Sequence, residues 1–171
     1  MKPFWIQIND GKLAQGDLLK DCLVPIFDSY FGSADPETVP VLGADLIVVT
    51  QSCDLEQGKA MLVALCPIHA LTVFEEQNPD FKHKGRWEEV RKGRIEGLHL
   101  LASPVCPEDS REALVVDFGE IYSLPVHYLT MRTGKLGLRW RLDSPFLEHF
   151  SQAFARYFMR VGLPSSIPRF K

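Results

Sequence analysis

The sequence predicts an α+β fold that is mainly β: a small antiparallel barrel or a strongly curved sheet, capped by a C-terminal helix. Three observations lead to this fold class. Short segments rich in β-branched and aromatic residues recur between glycine and proline turn signals. Connections such as residues 51–60 and 103–113 are too short for a crossover helix, which favours antiparallel strands. Residues 145–160, by contrast, carry apolar side chains at helical spacing.

Eight segments have the composition of short, partly buried strands. They are residues 4–8, 17–19, 23–27, 45–50, 61–66, 98–102, 114–118 and 135–142. Glycines and prolines mark the gaps between them as turns or loops. The turn residues are Gly11, Gly16, Gly32, Gly43, Gly58, Gly119, Gly134, Pro36, Pro40, Pro104, Pro107 and Pro125. We expect one domain, with a β-rich core in residues 1–142 and a helix and tail in residues 143–171.

The C-terminal helix is predicted from its start and stop signals as well as its spacing. Ser144 and Pro145 are typical of a helix start, and Gly162 with Pro164 is typical of a stop. One side of the helix carries an apolar stripe: Phe146, Phe150, Ala153, Phe154, Tyr157, Phe158 and Val161. Packing against the sheet explains such a stripe, because aromatic side chains dominate core burial. The alternative is a partner-binding or homodimer surface formed by Phe150, Phe154 and Tyr157.

Length and charge exclude several classes of protein. The chain has 171 residues, enough for a core, and 19 Lys and Arg against 22 Asp and Glu give a net charge of −3. Bulk attraction to nucleic acid or anionic lipid is therefore not expected, and any such binding must be local. No apolar run approaches the roughly 20 residues of a membrane span, and no signal-peptide run opens the sequence. We expect a cytoplasmic protein that does not enter a membrane.

Two local segments are basic despite the acidic net charge. The first contains a weakly predicted helix over residues 85–92, and its candidate nucleic-acid contacts are Arg86, Trp87, Arg91, Lys92 and Arg94. The second contains Arg132 and Lys135, with Arg139, Trp140 and Arg141 as candidate contacts. Arginine beside tryptophan can combine phosphate contacts with base stacking. A solvated face whose long side chains cover apolar surface is the alternative for both segments.

A polar cluster follows the apolar segment 45–50. Cys53 could act as a nucleophile, with His69 or His127 as the base and Asp54 as an orienting acid. Neighbouring strand residues point to opposite faces, so this arrangement requires a sharp turn at Cys53 and Asp54. The four cysteines form no C-x-x-C pair, and no metal or cofactor is expected.

The order of these segments resembles that of the SH3-like barrel in the MazF and PemK toxin family. The members of that family are endoribonucleases of bacterial toxin–antitoxin systems. Residues 15–19 (Gln-Gly-Asp-Leu-Leu) are similar to an early strand of that family, and residues 45–50 to its central strand. Residues 61–68 resemble the next strand and its Pro-Ile turn, and residues 114–125 the closing strands. The Gln-Ser-Cys-Asp loop and the Ser-Gln-Ala-Phe-Ala-Arg helix also resemble a bacterial and phage group with no assigned activity.

The chain departs from the family where the family's activity resides. Residues 43–45 contain no arginine before the central strand, and His69 stands where the family has threonine. Three hypotheses follow, and they leave open whether the protein is an enzyme. The first is a non-catalytic RNA- or protein-binding module in a toxin–antitoxin or defence setting. The second is a metal-independent endoribonuclease with His69 as base. The third is a Cys53-dependent hydrolase.

Overall fold

The computed structural model describes residues 2–26 and 39–159, and its architecture is α+β and mainly β, as the sequence predicts. The strands are β1 Trp5–Ile8, β2 Leu18–Pro25, β3 Val41–Val48, β4 Leu62–Ala70, β5 Leu98–Leu101, β6 Leu114–Asp117, β7 Tyr122–Pro125 and β8 Arg139–Leu142. The helices are α1 Ser52–Glu56, α2 Leu71–Gln77, α3 Arg86–Arg91, α4 Val126–Leu136 and α5 Phe146–Phe158. Some predicted boundary and turn residues lie outside the described residues: Phe27, Gly32, Pro36, Val161, Gly162 and Pro164.

All pairings between these strands are antiparallel, which confirms the prediction made from the short connections. The main sheet has the order β2-β3-β4-β6-β5, and β7 pairs with the first half of β4. Strands β1 and β8 form a separate two-stranded sheet. The described strands do not close into a barrel, and a bulge between Leu19 and Cys22 bends β2. Of the two predicted arrangements, a small barrel and a curved sheet, the described strands therefore form the sheet.

The central strands of the main sheet are buried on both faces. Along β3, Leu46 and Val48 pack into a core with α4, whereas Ile47 packs into a second core with α5. Successive strand residues point to opposite faces, so each face of β3 contributes to one of the two cores. This explains why residues 46–49 are continuously apolar instead of alternating, because this part of the chain is covered on both sides and has no solvent-facing position.

Three helices were not predicted, and the shortest of them, α1, lies where a loop was expected. Residues 71–77 form α2 and residues 126–136 form α4, although Gly134 was expected in a turn and residue 135 at the start of a strand. Buried Leu129 and Thr133 anchor α4 on the sheet, so tertiary packing overrides its β-branched residues and glycine. Gly43 was also wrongly expected in a turn, because it lies within β3 and pairs with Leu23.

Helix α5 confirms the predicted C-terminal helix. Most residues of its apolar stripe pack against the sheet, which favours packing over a partner surface as the explanation of the stripe. Phe150 is fully buried and contacts the rings of Phe118 and His99, so its assignment to a partner surface is wrong. Phe154 and Tyr157 are half-buried against the same core. Phe158 is 56% exposed. The helix is therefore a covering layer of the sheet.

No helix in the described part of the chain combines the length and the apolar character needed to cross a lipid bilayer.

Candidate nucleic-acid interface

A groove of about 720 Å³ lies between α5 and the segment that runs from the end of α3 through β5. We call it the α5 groove. The aromatic and apolar residues that line it are Phe4, Phe146, Ala153 and Tyr157, with Leu101 and Phe118 almost fully buried beneath them. Polar and charged side chains complete it: Arg91, Lys92, Glu96, His99, His149, Gln152 and Arg156. The groove thus combines an aromatic interior with three cations and one carboxylate.

One face of α5 forms the first wall of the groove. Phe146, His149, Ala153 and Arg156 recur at intervals of three and four residues, which places them in one row along the helix. The side chain of Arg156 forms no ion pair with a described residue, so its guanidinium group is free to meet an anion. The C-terminal part of this wall is the exposed end of the helix.

A glycine allows α5 to approach the opposite wall. Gly97 has φ +90°, a conformation that other residues rarely adopt, and a side chain there would begin 3.1 Å from the Tyr157 ring. The Tyr157 ring therefore lies against the backbone just before β5. A larger residue at this position would have to adopt a strained backbone and would displace the Tyr157 ring by a few tenths of an ångström.

Arg91 and Lys92 form the cationic part of the second wall, and they share one carboxylate. Arg91 makes two hydrogen bonds to Glu88 at 2.6 and 2.7 Å, and the Lys92 ammonium lies 3.2 Å from it. The two hydrogen-bonded cations lower the pKa of Glu88 to about 2. Arg91 and Lys92 outnumber the Glu88 carboxylate that they share, and Glu96, on the same segment, is the carboxylate that lines the groove. Both cationic side chains are also largely exposed, so solvent and ligands can reach them.

His99 lies in the interior of the groove, on β5. Its ring is 6.0 Å from the Phe118 ring and 5.9 Å from the Phe150 ring, measured between centroids. Burial, reinforced by the nearby His149, lowers the pKa of His99 to about 4, so the imidazole is neutral at pH 7. No described residue makes a hydrogen bond to this ring. A neutral, oriented and unpaired imidazole thus faces the groove.

The other candidates in the first basic segment do not line the groove. Trp87 packs against Phe74 and Phe81 and donates a hydrogen bond of 2.8 Å to buried Glu75. Its indole is thus part of a small core and is not positioned to stack on a base. Arg86 lies over the Phe81 ring, 5.2 Å from its centroid. Exposed Arg94 forms an ion pair with Glu89 at 3.0 Å.

The second basic segment does not form a phosphate-binding surface. The Arg139 side chain is 2% exposed and forms ion pairs with Asp17, which is fully buried, and with Asp10, both at 3.1 Å. Arg141 also binds Asp17 and donates to the carbonyl oxygen of Lys12. Trp140 is half-buried against the main core. Arg139 and Arg141 hold the loop before β2 against β8, which favours a structural role for them over nucleic-acid contacts.

The proposed cysteine site is not assembled with His69 as its base. Cys53 and Asp54 lie on α1, with the Cys53 Sγ 4.0 Å from the Asp54 carboxylate. Thr50, just before α1, accepts a hydrogen bond from the backbone of Ala64 on β4, whereas His69 lies five residues further along that strand. Five strand residues span about 16 Å. His69 cannot therefore act as the base for Cys53 or be oriented by Asp54 in this arrangement. Exposed His127 lies at the start of α4, beside the N-terminal end of β4, whereas His69 lies near the C-terminal end of that strand.

Within residues 2–26 and 39–159, no group of three or more His, Cys, Asp or Glu side chains could hold a metal ion. Burial raises the pKa of Cys22 to about 11 and that of Cys66 to about 12, so both thiols stay protonated at neutral pH and pack as small apolar core residues. Comparison with known proteins adds no assignment: no protein-family model matches the chain, and no curated protein sequence matches it significantly. The MazF and PemK resemblance therefore stays a prediction.

His99, His149 and Arg156 were not among the site residues predicted from the sequence. Two signals could have identified the histidines. His99 interrupts an otherwise apolar strand segment, Leu98-His99-Leu100-Leu101, and His149 lies in the row of α5 that includes Phe146 and Ala153. A polar residue on an element's apolar side is a candidate ligand contact. That both belong to one groove depends on how α5 packs across β5, which no local pattern indicates.

Proposed function

We propose that the protein is a non-catalytic binding module for single-stranded RNA and that the α5 groove is its binding site. The observation that carries this proposal is the placement of cations on two walls of one aromatic groove. Arg91 and Lys92 come from the end of α3, and Arg156 comes from α5. Phosphates can bind at these positions while bases contact the ring systems between them.

The dimensions of the groove favour single-stranded RNA over a duplex. A volume of about 720 Å³ lies within the range of pockets that hold small organic ligands, roughly 300–1,000 Å³. Such a space suits one or two unstacked nucleotides. Proteins read RNA sequence mostly in single-stranded regions, whose bases can enter a pocket, whereas duplexes are recognised across their minor groove and phosphates.

We place the module in a bacterial or phage toxin–antitoxin or defence setting, and this part of the proposal rests on the resemblance alone. The missing arginine at residues 43–45 and His69 in place of threonine favour binding over catalysis.

A second candidate function is a metal-independent ribonuclease, because two histidines, His99 and His149, line the same groove. Cleavage by transesterification needs a base for the 2′-hydroxyl and an acid for the leaving oxygen. The pKa of His99, lowered by burial to about 4, makes that imidazole a weak base at neutral pH. His149 therefore has no second groove histidine that could complete an acid–base pair. For this reason we rank RNA binding above RNA cleavage.

The proposal is tested by titrating labelled single-stranded RNA, and the duplex of the same sequence, with purified protein at two salt concentrations. We expect the single strand to bind more tightly, with a slope of log affinity against log salt of about −2, since three phosphate contacts each contribute about −0.7. Equal affinity for the duplex, or no binding at either salt concentration, would contradict the proposal and direct attention to a protein partner. Cleavage that persists with EDTA would favour the ribonuclease.

A further inference from the structure

We infer that the α5 groove binds a nucleotide in one orientation, with the base inserted into the groove so that it contacts His99 and the phosphate held at the cationic walls. This inference rests on the proposed RNA-binding function and adds a base-reading residue to it. It makes His99 the residue that distinguishes one base from another, through a hydrogen bond to the polar edge of the base.

The first step concerns the free hydrogen-bonding capacity of His99. No described residue forms a hydrogen bond with its ring. Every fully buried side-chain nitrogen or oxygen in the described residues has a hydrogen-bond partner. The ring nitrogens of His99 must therefore reach space outside the protein, and the space that His99 lines is the α5 groove. A ligand group in the groove can pair with a nitrogen that no protein group occupies.

The second step concerns the orientation of the ligand. His99 packs beside the rings of Phe118 and Phe150, at 6.0 and 5.9 Å, and no described carboxylate pairs with it. A neutral imidazole in aromatic surroundings cannot offset the desolvation of a phosphate, whereas it suits the edge of an uncharged base. The charges that can offset a phosphate belong to Arg91, Lys92 and Arg156. Base inside and phosphate outside is the arrangement that satisfies both groups.

The third step concerns selectivity. Contact with the Phe118 and Phe150 rings restricts how the imidazole can turn, so its hydrogen bond has a defined direction. A base whose edge offers the matching group gains that hydrogen bond. A base that lacks the matching group leaves a polar group desolvated and unpaired. The cationic walls contribute equally for every base, because all nucleotides carry the same phosphate.

The test compares four short single-stranded RNA probes: oligo-A, oligo-U, oligo-C and an oligo-U in which central nucleotides are abasic. Wild-type protein should prefer one homopolymer by about tenfold and bind the abasic probe less tightly than oligo-U. His99→Leu should bring the three homopolymers within about twofold while keeping the salt dependence. His99→Gln, which retains a donor and an acceptor, should restore part of the preference, and His127→Leu is the control histidine outside the groove.

The outcomes separate the two proposals. Binding of all homopolymers within twofold by the wild type would overturn the base-reading role while leaving RNA binding in place. Retention of the preference in His99→Leu, with folding verified by circular dichroism, would also overturn it. A wild-type protein that binds none of the probes would overturn the proposed function itself.

Discussion

The arginines of this protein differ in burial, and burial decides what each guanidinium group does. Arg139 is bound within the fold by Asp17 and by backbone carbonyl oxygens, whereas Arg156 is exposed beside the α5 groove. In the sequence both are cations close to aromatic residues. The basic segments could be predicted from residue type, but the distinction between structural and exposed arginines could not, because it depends on Asp17, more than 100 positions away in the chain from Arg139.

Replacing Asp17 with asparagine should strongly destabilise the protein. Asp17 is fully buried and bonds to both Arg139 and Arg141. Loss of its charge leaves buried Arg139 with only half-exposed Asp10 to neutralise it, and we expect a cost of about 3–5 kcal/mol. The matched control is Asp21→Asn, since Asp21 pairs with Arg132 at 3.8 Å but is largely exposed, and such a pair is worth about 0–1 kcal/mol. Urea denaturation measures both, and equal losses would show that the Asp17 network is not the stabilising feature.

His99 should make stability depend on pH between about 4 and 6.5. Its pKa is about 4 in the folded protein, against roughly 6.5 in the unfolded chain. In this window the unfolded chain binds a proton that the folded protein excludes. The free energy of unfolding should therefore fall as the pH falls, by up to about 1.4 kcal/mol per pH unit.

The measurement is urea denaturation at several values between pH 6.5 and 5, where most carboxylates are still ionised. His99→Leu is the control, because it removes this one titration and should flatten the dependence. Identical pH dependence of wild type and His99→Leu would show that His99 is not protected from protonation in the folded state.

At the scale of elements, the helix with a clear apolar stripe was predictable, and the helices anchored by tertiary contacts were not. Helix α5 has its aromatic residues at regular spacing, so residues 145–160 were predicted close to the observed Phe146–Phe158. Helix α2 begins immediately after β4 and is held by buried Leu71 and Phe74 over β6. Its β-branched residues favour extended structure locally, and only burial makes the helix stable.

Removing the ring of Phe150 should destabilise the fold far more than removing the ring of Phe158. Phe150 is fully buried between the sheet and α5, whereas Phe158 is 56% exposed on the same helix. Phe150→Ala should cost about 3–5 kcal/mol, and Phe158→Ala about 0.5 kcal/mol. Urea denaturation of the two variants gives the comparison. Similar small effects would mean that α5 does not cover the sheet in solution and would return Phe150 to the partner-binding hypothesis.

For the whole molecule, the sheet with its two helical layers accounts for the position of the α5 groove. Helix α4 covers one face of the sheet, and α5 crosses the other face and leaves the groove beside β5. Two segments far apart in sequence, residues 90–101 and 146–157, thereby meet in one site. Arg91, Lys92 and Tyr157 were predicted as contacts separately. Their convergence was not predictable, because nothing in either segment specifies the other.

The central claim is that cations around the α5 groove, and not the overall charge of the protein, bind single-stranded RNA. The most direct measurement compares the RNA affinity of two triple variants that remove the same charge. Arg91→Ala with Lys92→Ala and Arg156→Ala removes the groove cations, and Lys20→Ala with Lys59→Ala and Lys135→Ala removes exposed cations outside the groove. We expect the groove variant to lose at least about tenfold in affinity and most of the salt dependence, and the control to stay within about threefold of wild type. Equal losses in both folded variants, or wild-type affinity in the groove variant, would contradict the claim.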